Sequence, residues 1–416
     1  MKSKQEKINK YSFGKLAGVR PAEVCYKLEQ EGIAPLNMQN IIAREYAVGG
    51  EVARLMLAVL ANQKFVTYNP KLCSISISFP FDEPEHVISV YINSLIDELN
   101  SARKLTLAQS FIIQSVSIGQ GALLLHSKVL ATFLEACAYP NIEFTLDVGD
   151  YRHLTQEKLD VLLRYGVNYL SFDISSFVKK TRGSIDVDSF LKTYKMCLNA
   201  GVDVNLNLLN SLGSECWEDF TNSLSLACEL AASSISVLVA PRVNFTLSRI
   251  KDIERNTWRA NEFLTRQGYQ PYFIGGQEVS TKNKDNSGGR LKATNGKEVC
   301  ANNGNTTLEQ RLIEEQKTVT HTRGGVSGEK LASFADDKEA VDNYLYNISF
   351  CKPNKQNKFS VFSAKARSTI VGCGIGAQST KVNTLNNQAS VLVNTTDLSE
   401  YVFDINTVKR KKEQFF

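Results

Sequence analysis

"EFTLDVGDYRHLTQEKLDVLLRYGVNYLSFD", residues 143–173, decides the fold. It opens on a β-rich run at 142–148 and passes through a polar loop, "DVGDYRH", into a helical pattern at 155–165. It closes on a second β-rich run at 167–173. A strand, a helix and a strand within roughly 30 residues make a βαβ unit, and such a unit gives parallel strands.

The same alternation extends in both directions. Further strands are predicted at 74–79, 111–118, 202–209 and 234–240, and helices at 86–100, 126–137, 187–200, 216–231 and 252–268. Six such units point to a barrel or partial barrel of parallel strands. A doubly wound open sheet competes with it, because one sequence does not fix strand order. Upstream, residues 14–65 read as helices. "PAEVCYKLEQEG" starts with Pro21, which suits a first helical turn, and stops at Gly32. Downstream, residues 281–342 are polar and rich in Gly and Asn, a composition that buries too little apolar surface to offset chain ordering. That stretch is expected to be a disordered insert. After it, "NYLYNISF", "KFSVFS", "STIVGCGIG" and "ASVLVN" predict a small β-rich region. The expected division is an N-terminal helical segment at 1–70, a barrel at 71–250 and a C-terminal α+β region at 251–416.

Composition excludes several classes. Apolar content of 43% and charged content of 22% over 416 residues are those of an ordinary globular chain. The net charge of +5 is small, and the basic run Lys409-Arg410-Lys411-Lys412 reads as a solvated tail. No nucleic-acid or membrane partner is expected. "MKSKQEKINKYSFGK" lacks the apolar core of a signal peptide, and no apolar run approaches the ~20 residues that cross a bilayer. A cytoplasmic protein is expected. Nine cysteines are scattered, none spaced as C-x2-C or C-x3-C, and read as small buried hydrophobes.

Chemistry in a parallel α/β fold sits at the carboxyl ends of the strands. The loops there read "PFDEPEH", "GQGALLLHS", "DVGDYRH", "DISSF" and "NSLGSE". "SIGQGA" (117–122) is a tight strand-to-helix turn that could also let an anion approach a helix N-terminus. "GCGIGA" (372–377) fits a dinucleotide fingerprint in letters alone, since β-rich sequence follows where a helix and an acidic residue are needed. "GGVSGEK" (324–330) misses the phosphate-loop pattern. Asp82 and His86 could ligate a metal in principle, but the other histidines, 126, 153 and 321, show no ligand spacing with them.

Six segments, in order, resemble one family. They are "FGKLAGVRPAEVCYKLEQEG" (13–32), residues 143–173, "NLNLLNSLGSECWEDF" (205–220), "GYQPYFI" (268–274), "NISFCKP" (347–353) and "VGCGIGAQST" (371–380). Together they resemble the HemZ-type, oxygen-independent coproporphyrinogen III oxidase-like proteins of the radical SAM class. The resemblance implies a partial parallel (β/α)6 TIM-like barrel with an N-terminal helical segment and a small C-terminal α+β region. It also implies a [4Fe–4S] cluster held by C-x3-C-x2-C after the first strand, with S-adenosylmethionine chelated to its open iron.

The departures from that family are systematic. Laid on Pro80-Phe81 without gaps, the three cysteine positions fall on Asp82, His86 and Ser89; alternatively the cluster loop is deleted outright. Either way every thiolate is lost, and soft thiolates are what such a cluster needs. The family's S-adenosylmethionine positions are altered too. Its glycine-rich G-G-G-T-P-T becomes "GQGALL", which leaves Gly119 and Gly121. Its strand-three Glu becomes Asp147, its strand-four Asn-Pro-Gln becomes Asp173-Ile174-Ser175, and its strand-five Asp becomes Asn207. Gly119, Gly121, Asp147 and Asn207 are therefore expected to be vestigial S-adenosylmethionine positions, with no cofactor expected. Three functions follow as expectations. The first is a catalytically degenerate homologue that binds a tetrapyrrole or a protein partner. The second is a coproporphyrinogen oxidase with an atypical cluster site, and the third is an interaction module working through residues 281–342.

Overall fold

The alternation of small polar with large apolar residues in "EFTLDVG" and "YLSFDIS" gives each strand one polar and one apolar face, because successive side chains point to opposite sides. The computed structural model describes residues 39–41, 43, 50–62, 71–79, 85–178, 185–210, 216–239, 247–279, 343–363, 368–383 and 388–416. Within them, α1 (Gly50–Asn62) precedes β1 (Leu72–Ile77), α2 (Glu85–Ala108), β2 (Ile112–Ile118), α3 (Ser127–Cys137), β3 (Glu143–Gly149), α4 (Gln156–Arg164) and β4 (Tyr169–Ser175). Then come α5 (Val187–Asn199), β5 (Asp203–Leu209), α6 (Trp217–Glu229), β6 (Ser234–Leu238), α7 (Leu247–Arg266) and β7 (Gln270–Val279). The chain finishes with β8 (Asn343–Cys351), α8 (Lys358–Ser363), β9 (Thr369–Cys373), β10 (Gln378–Asn383), β11 (Gln388–Val393), α9 (Leu398–Phe403) and α10 (Ile405–Phe415).

All eleven strands form one sheet in the order β11-β10-β9-β1-β2-β3-β4-β5-β6-β8-β7. Strands β1 to β6 are consecutive and parallel, with a helix in every crossover. That order is the partial (β/α)6 barrel of the radical SAM type; a doubly wound sheet would reverse direction at a switch point. The barrel is not closed, since β11 and β7 do not pair. The strands after residue 251 extend this same sheet at both flanks. β9 adds parallel to β1, and β8 adds antiparallel to β6.

The apolar faces carry the core. Phe144, Leu146, Leu170, Phe172, Leu206 and Val237 are fully buried, and Phe172 meets Phe190 of α5 edge-on at 5.6 Å between ring centroids. Burying a side chain of this size contributes roughly 1.5–3 kcal/mol. Caps fix the helix starts. Thr155 accepts from the Lys158 N–H and Asp186 from the Ser189 N–H.

Two sequence expectations are corrected. "KFSVFS" forms the helix α8, not a strand. Its first turn is held by Glu143, whose carboxylate accepts from the backbone N–H groups of Lys358 (2.7 Å) and Phe359 (3.1 Å). The basic run at 409–412 is no solvated tail. It lies in α10, with Ile405, Val408 and Lys412 on its inward side, and Lys412 is only 2% exposed. The predicted helices before residue 39, the insert at 281–342 and Asp82 lie outside the described residues.

Candidate functional site

The polar faces of the strands converge in register. Asp147 of β3 lies opposite Ser171 of β4, Ser171 opposite Asn205 of β5, and Asn205 opposite Ser234 of β6. One step nearer the carboxyl ends, Asp173, Asn207, Ser236 and Ser349 form a second row across β4, β5, β6 and β8. Each residue is small and polar, so each needs a partner once buried. Asn205 donates to Asn207 Oδ1 (2.7 Å) and to Ser171 (3.0 Å), and accepts from Ser234 (2.7 Å). Asn207 in turn donates to Asp173 Oδ1 at 2.7 Å.

Gln120, from the turn after β2, reaches into the same place. Gly119 donates its N–H to the Ile77 carbonyl at 2.8 Å, which anchors the turn to β1. Gly121 turns the chain with φ at +105°, a conformation that a side chain would resist. Between them, Gln120 is buried and donates to Asp173 Oδ2. The turn does not lead straight into α3. A short 3-10 turn at Ala122–Leu124 intervenes, and His126 caps α3, its Nδ1 accepting from the Lys128 N–H at 3.4 Å.

Two carboxyls therefore meet at the ends of β3 and β4. Burial pushes the Asp147 carboxyl well above the usual carboxylate range, the Asp173 charge adds to it, and the Gly149 N–H and Gln120 amide oppose it. Burial also raises Asp173, against the Asn207 and Gln120 amides. Asp173 has both oxygens satisfied. Asp147 is 4% exposed, and its Oδ1 has no hydrogen-bond partner among the described residues.

The structure thus gathers Asp147 and Asn207 around Asp173, with Gly119 and Gly121 holding Gln120 between them. Gln120, Ser171, Asp173 and Asn205 complete the constellation. Their signal in the sequence is the alternation in "SFDIS" and "NLNLL", which marks a polar inner face. Ser89 lies exposed on α2, outside the constellation. Asp82 and the His86 side chain lie outside the described residues. His153 is exposed on a 3-10 turn.

"GCGIGA" serves packing. A Cβ on Gly374 would stand 2.2 Å from the Ser78 carbonyl oxygen, so only glycine fits where this turn crosses the end of β1.

An open barrel of six consecutive parallel strands, with polar rows across its inner face, is a fold of the radical SAM type. The coproporphyrinogen III oxidase HemN from Escherichia coli, a radical SAM enzyme, superposes with a TM-score of 0.52 at 15% identity, over 88% of this chain and 74% of its own. In sequence, the oxygen-independent coproporphyrinogen-III oxidase-like protein HemZ of Bacillus subtilis is 21% identical over 320 residues, 66% of this chain. The match spans 63% of the length of HemZ. The chain is thus similar to HemN in fold and to HemZ in sequence. No protein-family profile matches the chain.

The residues present do not fit the three-thiolate cluster of that class. No cysteine occurs between Cys73 and Cys137, the whole stretch from β1 to the end of α3. Cys73 is second in β1, at the amino end of the strand. Burial pushes the thiols of Cys73 and Cys137 up, as well as those of Cys197, Cys351 and Cys373, each of these to about 12. Among the described residues no three of His, Cys, Asp and Glu are grouped to hold a metal ion. No described helix is long and apolar enough to cross a membrane.

Proposed function

We propose that this chain is a catalytically degenerate HemZ-like protein: a radical SAM barrel that binds at its strand ends without an iron–sulfur cluster. One observation carries the reading. The region from residue 74 to 136, where the resemblance places all three cluster ligands, holds no cysteine. The strand-end carboxyls and amides instead bond mainly to one another. Such a site binds and orients through hydrogen bonds and supplies no electron to cleave S-adenosylmethionine. A tetrapyrrole or a protein partner is the proposed class of ligand, following the similarity to HemZ and HemN. Anaerobic reconstitution with iron and sulfide tests it. We expect no stoichiometric acid-labile sulfide after desalting. A full cluster per chain would overturn the reading.

A second reading, oxygen-independent coproporphyrinogen III oxidase with cluster ligands drawn from dispersed cysteines, rests on the same two similarities. It predicts rescue of a haem auxotroph under anaerobic growth, which the first reading does not.

A further inference from the structure

Away from the strand-end site, a thiol and an amine meet in the core between β9 and α10. Cys373, the last residue of β9, is fully buried, and Lys412 of α10 is almost so. The fold brings the Lys412 Nζ to 3.7 Å from the Cys373 Sγ. The ammonium has three donors, and its partners are Glu98, the Gly372 carbonyl and this sulfur. A thiol is a weak acceptor, so the sulfur does little to offset the burial of Lys412. What it adds is a nucleophile held against an amine.

Two further features suit a reaction between them. Glu98 is fully buried and accepts from the ammonium, so it stands where the lysine proton can go. A small cavity lies against the same network, walled by Asn394, Glu400, Val408 and Lys411, with room for a molecule the size of water. Asn394 is both a wall of that cavity and a donor to Glu98 Oε1, at 2.8 Å. A small oxidant can therefore come up to the edge of the network. Burial holds the Cys373 thiol up at about 12 against the pull of the Lys412 charge, so its oxidation is slow.

We propose that Cys373 and Lys412 form a reversible nitrogen–sulfur link when hydrogen peroxide oxidises the protein. In the first step sulfur attacks peroxide. The O–O bond breaks, the thiol becomes a sulfenic acid and water leaves. In the second step Lys412 passes a proton to Glu98, and the free amine attacks sulfur. The S–O bond breaks, the N–S bond forms, and the hydroxide takes the remaining amine proton and leaves as water. Sulfenic acids condense with backbone nitrogen in the same way. One thiol, one amine and one peroxide thus give the link and two waters. A dithiol reverses it, returning thiol and amine and becoming a disulfide. The link fastens α10 to β9, the strand that extends the barrel beside β1.

The test is tandem mass spectrometry of peptides from the full chain after treatment with hydrogen peroxide. We expect a peptide pair joined through Cys373 and Lys412, lighter by two hydrogens than the two peptides together. It should be absent after dithiothreitol, and absent when the chain is unfolded in guanidinium before peroxide is added. The melting temperature should rise as the link forms and fall back with dithiothreitol, and C373S should show neither change. The peptide map uses wild-type protein, so it stands even if C373S does not fold. Cys373 recovered as free thiol or sulfinic acid beside an unmodified Lys412 would overturn the proposal. So would an equal yield of the joined pair from the unfolded chain.

Discussion

Two of the buried polar networks among the described residues are built on opposite plans. One joins Glu98 of α2, Lys412 of α10, Tyr401 of α9, Asn394 and the Gly372–Gly374 turn. Glu98 accepts from Lys412, from Tyr401 (2.5 Å), from the Gly374 N–H (2.7 Å) and from Asn394 (2.8 Å). Lys412 also donates to the Gly372 carbonyl. Burial pulls the Lys412 ammonium down, but Cys373 and Glu98 beside it prevail and hold it above its usual range. Opposite charges meet here and both carboxylate oxygens are occupied. The other network sets two carboxyls, Asp147 and Asp173, together without a cation among the described residues, and burial raises both. A closed network fastens helices to a sheet.

The comparison breaks first at Lys412. K412M leaves Glu98 charged and without its countercharge, and should cost about 3–5 kcal/mol in urea unfolding. At the strand ends the sign reverses. D147N removes a carboxyl whose ionisation burial and Asp173 oppose, so above its unfolded pKa it should stabilise the free protein, by about 1–2 kcal/mol. Its pH dependence sharpens the point. A carboxyl raised on folding destabilises as pH climbs from its unfolded value near 4 toward its folded one, so wild type should lose stability over that range. D147N should remove that part of the loss. A smaller effect is expected for Y401F, which deletes one donor from a carboxylate that keeps three others. About 1 kcal/mol is the expected loss. The smallest concerns Glu143, at the far end of β3 from Asp147. Burial raises it from 4.5 to about 7, against the Lys358 and Phe359 N–H groups. Its folded pKa exceeds its unfolded one, so stability should fall as pH rises from about 4.5 to about 7. E143Q should flatten that window, read by melting temperature against pH.

Much of this was legible before any coordinates. The βαβ rhythm placed β1 to β6 within two residues at nearly every boundary, because parallel strands and amphipathic helices have different periods. Helix α2 ran further than its pattern, to Ala108, since "SARKLTLA" is polar on average yet buries Ala102 and Leu105. The C-terminal helices were missed because α10 carries its inward charge, Lys412, where a helical stripe calls for an apolar residue. Only the long-range partner, Glu98, makes that burial possible. The addition of β9 to β1 was likewise beyond reading, since sequence pattern carries no register between segments roughly 300 residues apart. At the site, Asp147 and Asn207 came from resemblance, whereas Gln120, Ser171 and Asn205 came from which side chains the pleat brings face to face.

The central claim is that these strand ends keep the barrel and have left radical chemistry. The most direct measurement is 5′-deoxyadenosine released from S-adenosylmethionine by the full chain, after anaerobic iron–sulfide reconstitution and with a strong reductant. The account predicts no release above a protein-free control. Catalytic release proportional to chain concentration would contradict it.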